Sequence, residues 1–372
     1  MDQISFPTVY MRGGTSRALF FRQQDLPGRA AWDAIFAAAL GTPDPHGRQL
    51  DGMGGGISSL SKVAVVGPPS RPDADVDYTF AQVPIDAAVV QYKGNCGNIS
   101  SAVGPYAVDE GLVPAQGDSA IVRIHNTNTG KIIVARFPLA GGKAAVDGDF
   151  VLQGVAGAGA PVRLSFLDPG GAATGRLLPT GQPRGTLEVA GLGLLEVSLI
   201  DTANPVVMLR AASLGLRGDE TPAAMSADQA LIAACEQLRR SAAVAMGLAA
   251  DVQEAAKRVR SLPLVALLSE PGQPGCHIRV RMLSSGQPHL ATPLTGGMCV
   301  AAAMHIEGTV AHGMGLRPEG DDVCIEHPSG ILRVGARVLV RGGAVEVTET
   351  AVYRSARRLM DGRVYVPASR LP

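Results

Sequence analysis

Short apolar runs, each closed by a turn rich in Gly, Pro, Asn or Asp, recur along the whole chain. That rhythm predicts many short strands. In the first half they fall at 8–11, 18–21, 62–66, 77–82, 120–126, 132–138 and 162–166. The second half adds 186–189, 194–200, 206–210, 264–268, 278–282, 323–327, 331–340 and 344–353. Longer runs with a helical period are fewer and predict helices at 30–40, 100–111, 227–246, 252–258 and 297–306.

The order of these elements repeats. Each half sets strands around one helix of small residues that opens after glycines: Ala102, Val103 and Ala107 in the first, Ala301, Ala302 and Ala303 in the second. Small side chains suit a helix enclosed by strands, so the halves read as pseudo-repeats. The stretch 168–185 holds Pro169, Gly170, Gly171, Gly175, Pro179, Gly181 and Pro183, which sustain no regular element, and is expected to be the linker. The expected domains are 1–183 and 184–354, with 355–372 returning to the first. Residues 219–260 read as a helical insertion in the second half. A cleft between two similar domains is the natural place for a site.

Composition narrows the partners. At 372 residues the chain exceeds one ordinary core. Lys plus Arg and Asp plus Glu both number 33, and no basic block carries interleaved aromatics, which argues against nucleic acid. No apolar run is long enough to span a membrane and the start lacks the pattern of a signal peptide, so neither membrane nor export is expected. The odd set Cys96, Cys235, Cys276, Cys299 and Cys324 has no CxxC spacing, which fits a reduced, cytoplasmic setting. The histidines lack ligand spacing, so no metal is expected. Oligomeric state stays open, a homo-oligomer included.

Four glycine-rich segments carry the candidate chemistry. They are Met11-Arg12-Gly13-Gly14-Thr15-Ser16, Asp51-Gly52-Met53-Gly54-Gly55-Gly56, Lys93-Gly94-Asn95-Cys96-Gly97-Asn98-Ile99-Ser100-Ser101 and Thr295-Gly296-Gly297-Met298. None has the spacing of a phosphate-binding loop, and no nucleotide is implied. What they share is backbone N–H groups beside hydroxyls, which suits carboxylates. Cys96 stands just before a helical run, where unpaired N–H groups and the helix dipole favour a thiolate. Lys62 leads the apolar strand 63–66, and a lysine drawn out of water loses its proton more easily and can act as a base. His327-Pro328-Ser329-Gly330 forms a turn that can bring the Ser329 hydroxyl to a ligand.

With these residues in view, the chain resembles the PrpF family of aconitate-type isomerases. The resemblance rests on YMRGGTSRALFF at 10–21, GTPDPHGRQLDGMGGGISSLSKVAVV at 41–66, DVDYTFAQVPID at 75–86 and GNCGNISSAVGPYAVDEGLV at 94–113. PTG at 179–181, HPSGILRVGA at 327–336 and RSARRLMDGRVYVP at 354–367 extend it. It implies an α+β fold of two diaminopimelate epimerase-like domains, each a curved antiparallel sheet around a central helix, with the site in the interdomain cleft.

The resemblance also implies a cofactor-independent isomerase of unsaturated di- or tricarboxylates. The first expectation is 2-methylaconitate cis-trans isomerisation, in propionate catabolism. The alternatives are 4-oxalomesaconate tautomerisation and, less favoured, carboxylate binding without catalysis. The family's catalytic lysine and cysteine fall on Lys62 and Cys96, with either as the first base. Where related epimerases carry a second thiol this chain has Thr295, which disfavours amino-acid epimerisation. The expected substrate contacts are Arg12, Thr15, Ser16, Gly54, Gly55, Gly56, Asn95, Gly97, Asn98, Thr295, Gly296, Gly297 and Ser329.

Overall fold

The computed structural model describes residues 2–92, 96–259, 261–284 and 286–371. The chain forms two compact units, Met1–Phe166 with Tyr353–Pro372, and Leu167–Val352.

The first unit is organised by period-two alternation on β1 (Gln3–Gly13), β2 (Ser16–Arg22), β3 (Lys62–Gly67) and β4 (Val76–Gln82). On β2, Leu19 and Phe21 join an apolar cluster with Trp32, Ile35 and Phe36 of helix α1 (Trp32–Leu40). Phe21 stacks on Phe36 at 5.8 Å. Phe20 faces the other way and meets Tyr106 of helix α2 (Gly97–Asp109) at 5.2 Å. Successive side chains of a strand leave opposite faces, so one sheet carries α1 on one side and α2 on the other.

The sheet continues through β5 (Ser119–Asn126) and β6 (Lys131–Ala140). The described strands lie in the order Ala356–Pro367, β1, β2, β3, β4, β5, β6, Val162–Leu167. The β2–β3 and β4–β5 pairings are parallel and the others antiparallel. Helix α2 is buried from Ile99 to Val108. A Cβ on its Gly104 would stand 2.8 Å from Phe137 and 2.9 Å from Ala135, both on β6, so the enclosing strand dictates the small residue there.

In the second unit the strand order is Gly185–Val189, Gly193–Thr202, Asn204–Arg210, Leu264–Ser269, Ile278–Ser284, Asp322–His327, Gly330–Arg341, Ala344–Arg354. The third-to-fourth and fifth-to-sixth pairings are again the parallel ones. Helix Leu294–His305, buried from Gly296 to Met304, falls between the fifth and sixth strands, as α2 does in the first unit. Helix Gln229–Ala245 covers the outer face through Leu231, Cys235, Leu238 and Ala242.

Two expectations change. The segment 168–185 belongs to the second unit, and the units divide at 166/167 instead of 183/184. Its Gly- and Pro-rich turns close on the buried Asp201, whose Oδ2 accepts from Ala173 N (2.8 Å), Thr174 N (2.6 Å) and Thr174 Oγ1 (2.9 Å). The helix expected at 227–246 is present as Gln229–Ala245, capped by Asp228 through Leu231 N (2.9 Å). The helix expected from residue 100 starts at Gly97, because enclosure by the sheet outweighs the poor helix propensity of Gly97 and Asn98.

Candidate active site

Lys62 opens β3 and pairs in register with Gln82 on β4, so both side chains leave the same face of the sheet. It is the face that carries α2, since the neighbouring Val63 and Val65 belong to the α1 cluster. Lys62 is only 8% exposed. Its ammonium lies 5.4 Å from the centre of the Phe80 ring and donates to Oε1 of Gln82. Gln82 is held in that orientation by its own Nε2, which donates to the carbonyls of Ser58 (3.1 Å) and Ser61 (3.0 Å). A neutral amide offers Lys62 a hydrogen bond but no countercharge. Burial accordingly lowers its pKa, and only a negative charge on Cys96 pulls the other way.

Cys96 is the N-cap residue of α2 and its side chain makes no capping bond. The helix has no acidic residue in its first turn, so its positive end is not neutralised from within. The amine of Lys62 is thus close enough to the Cys96 thiol to feel its charge. Burial raises the pKa of Cys235 to about 12 and also raises those of Cys276, Cys299 and Cys324, which serve as packing groups.

The hairpin joining β1 to β2 is pressed onto the first turn of α2. A Cβ on Gly13 would lie 2.5 Å from the Asn98 carbonyl and one on Gly14 2.2 Å from Asn98 Oδ1, and Gly14 also has φ +52°. Only glycine fits at this approach. Asn98 Nδ2 donates to Thr15 Oγ1 (3.1 Å), and Asn98 Oδ1 accepts from Arg354 Nε (3.2 Å). Thr15, Gly97 and Asn98 therefore gather at the cysteine, and Ser16 is buried beside them at the start of β2.

Arg12 is placed differently from the expected ligand contact. Its Nη1 donates to the carbonyls of Gly14 and Ser355, both at 2.9 Å, which braces the hairpin from behind. It lines a separate cavity of about 300 Å3 with Asp147, Ser355 and Arg357, and neither Lys62 nor Cys96 borders it. Gly54 and Gly56 lie against the side chain of the buried Gln49, and Gly55 packs against Leu60. Gln49 Oε1 accepts from Gly56 N (3.0 Å) and Ser61 Oγ (2.5 Å), so that glycine N–H is already used within the protein. Asn95 lies outside the described residues.

In the second unit Thr295 stands in the first turn of helix Leu294–His305, and its Oγ1 accepts from Asn204 Nδ2 (2.8 Å). A Cβ on Gly296 would come within 2.3 Å of Met282 Sδ and one on Gly297 within 2.6 Å of Leu332, so close packing explains both glycines. Ser329 donates from Oγ to the Leu290 carbonyl (2.5 Å) and from N to His327 Nδ1 (3.2 Å). Sequence reading did not single out Gln82, Gln49, Asn204 or Arg354. Gln82 ends the strand expected at 77–82, and Gln49 and Arg354 lie within segments that carry the family resemblance. Among the described residues no cluster of His, Cys, Asp or Glu is placed to hold a metal ion, and no helix is long and apolar enough to cross a membrane.

A buried amine and a thiol at the N-cap of a helix thus stand on a framework of strands around buried helices. The fold is also that of a hydroxyproline epimerase from Agrobacterium vitis, at TM-score 0.50 and 14% identity over 98% of this chain and 93% of that one. The chain belongs to the PrpF protein family, whose model matches residues 3–367. It is 40% identical to 2-methyl-aconitate isomerase of Cupriavidus necator (99% of this chain, 98% of the relative) and to 4-oxalomesaconate tautomerase of Pseudomonas putida (98% and 97%). The crystal structure of a methylitaconate-delta-isomerase matches at TM-score 0.92 and 39% identity, over 100% of this chain and 97% of that one.

Proposed function

We propose that this enzyme isomerises an unsaturated di- or tricarboxylate by removing an allylic proton and returning it, with Lys62 and Cys96 as the proton-transfer pair and no added cofactor. The observation that carries this reading is the amine of Lys62, buried against Gln82 and Phe80 and electrostatically coupled to Cys96 at the start of α2.

The step balances without oxidation. A C–H next to a double bond conjugated with a carboxylate gives its proton to the amine or the thiolate, and the electron pair spreads onto the carboxylate oxygens. N–H groups at the helix start are suited to that charge. In the delocalised anion the former double bond rotates or is reprotonated at its far carbon, giving cis-trans isomerisation or a 1,3-shift. Thr15, Gly97 and Asn98 are the substrate contacts in this reading.

The favoured substrate is 2-methylaconitate, and 4-oxalomesaconate is the second reading, because relatives with these two activities are equally similar to the chain. The test is turnover of both acids side by side in deuterated water, followed by NMR. The reading requires solvent deuterium at an allylic carbon of one of them and its loss in Lys62→Ala. A protein that binds the acids without exchange would be a carboxylate-binding protein instead.

A further inference from the structure

We propose that Arg354 is a substrate-binding residue, its guanidinium receiving one carboxylate of the polycarboxylate beside the amino-terminus of α2. The inference deepens the function proposed above and rests on it.

Arg354 is 9% exposed, yet among the described residues no carboxylate lies within ion-pairing distance of it. A guanidinium has five N–H donors and stays charged at neutral pH. Here Nε donates to Asn98 Oδ1 (3.2 Å) and Nη1 to the Tyr353 carbonyl (2.8 Å), while Nη2 donates to no described residue. Burial lowers the Arg354 pKa to about 10, the direction expected of a cation taken from water without a countercharge. A permanent cation left in that condition is costly unless something supplies the missing charge.

Its two described partners are neutral oxygens, and donors lie just beyond them. Asn98, which Arg354 holds, lies in the first turn of α2, where no acidic side chain and no side-chain cap satisfies the positive end. Asn98 turns its oxygen to Arg354 and its Nδ2 to Thr15 Oγ1. Because Thr15 Oγ1 accepts that bond, its hydroxyl hydrogen is free to donate outward. A guanidinium fork, a hydroxyl donor and helix N–H groups together match a carboxylate and repel a cation. Arg12, the arginine that sequence reading favoured, donates through Nη1 to the carbonyls of Gly14 and Ser355 and lines a separate cavity with Asp147 and Arg357.

The experiment uses trans-aconitate as probe, thermal melting with and without it, and steady-state turnover of the better of the two proposed substrates. Arg354→Met keeps the bulk and removes the charge; Arg354→Lys keeps the charge. Arg354→Met is expected to melt no lower than wild type without ligand, since it removes an unpaired buried cation, and to lose the rise in melting temperature that trans-aconitate gives wild type. Its KM should rise roughly 10- to 100-fold, the range for losing a charged hydrogen bond, with Arg354→Lys in between. In an Asn98→Ala background Arg354→Met should still raise KM, because a residue acting only through Asn98 would add nothing there.

The assignment is overturned if Arg354→Met keeps the ligand-induced rise and the wild-type KM, or if both variants melt lower and lose binding alike, as a structural brace would. These outcomes differ from failure of the function itself, in which wild type neither exchanges solvent deuterium nor gains stability from any unsaturated acid.

Discussion

Replacing Gln82 by Glu tests the role of Lys62 most directly. The side chain keeps its length and its place opposite Lys62 in the β3–β4 register, but presents a charge where wild type presents a neutral oxygen. Two unit charges about 4 Å apart attract by about 4 kcal/mol at the effective dielectric of roughly 20 that suits protein sites. Part of that is spent on desolvating the new carboxylate. A rise of about 1–3 units in the Lys62 pKa is the expected remainder, and each unit corresponds to about 1.4 kcal/mol. A lysine base works only unprotonated, so kcat/KM climbs with pH up to its pKa and levels off above. In wild type burial holds that pKa down. In Gln82→Glu the climb should move to higher pH, with about 10- to 1000-fold loss of kcat/KM near neutrality, recovered in strong alkali. Gln82→Met, which supplies no charge, should leave the limb where wild type has it or at lower pH. The assay is the pH profile of kcat/KM for the three proteins. An unmoved limb in Gln82→Glu would refute the electrostatic argument. Activity that instead persists to higher pH would show Lys62 acting as ammonium donor, with Cys96 taking the first proton.

Other outcomes follow from neighbouring parts of the structure. Cys96→Ser should cut turnover by about 100-fold or more while leaving the urea midpoint close to wild type, since a poised proton-transfer group contributes about that much and Cys96 makes no side-chain cap. Gly104→Ala, whose methyl would sit 2.8 Å from Phe137, should cost about 1–3 kcal/mol in equilibrium denaturation. Gln49→Ala should lower the melting temperature, because it removes the acceptor of Gly56 N and Ser61 Oγ at once, each buried loss costing about 1–3 kcal/mol. Burial holds His277, His289, His305 and His327 below their usual pKa. The unfolded chain then binds protons that the fold does not, so their contribution to stability is complete above about pH 6.5 and is lost as pH falls through the folded values. Thermal melts from pH 8 to pH 5 should show that decline, and His327→Gln should shrink it.

Strand positions were legible because apolar period and turn residues are local, and the structure extends the predicted runs mainly at their ends, as at Gln3–Gly13 around 8–11. The pairing of Lys62 with Cys96 entered through family resemblance, since nothing local joins a strand start to a helix cap 34 positions on. Glycines were the least legible. Gly13 and Gly14, Gly54 to Gly56, and Gly296 with Gly297 look alike as letters. In the fold the first pair lets a hairpin approach Asn98, the next set lies against Gln49 and Leu60, and the last admits Met282 and Leu332 against a helix. Density of Gly and Pro misled at 168–185, where the turns are gathered by the buried Asp201. Arg354 stayed hidden for a related reason: what distinguishes it is a missing partner, and sequence does not record absences.

The pairing of β1 with strand Ala356–Pro367 also bears on how the molecule is made. The second unit is one uninterrupted segment and can complete its sheet while later residues are still inside the ribosome. The first unit cannot, because the partner of β1 follows it by more than 300 residues. During synthesis β1 offers an open edge for the time needed to add more than 300 residues, the condition under which strands find wrong partners. Its charged and proline-bearing sequence, with Arg12 and Pro7, is then a safeguard for the nascent chain as much as a feature of the finished enzyme.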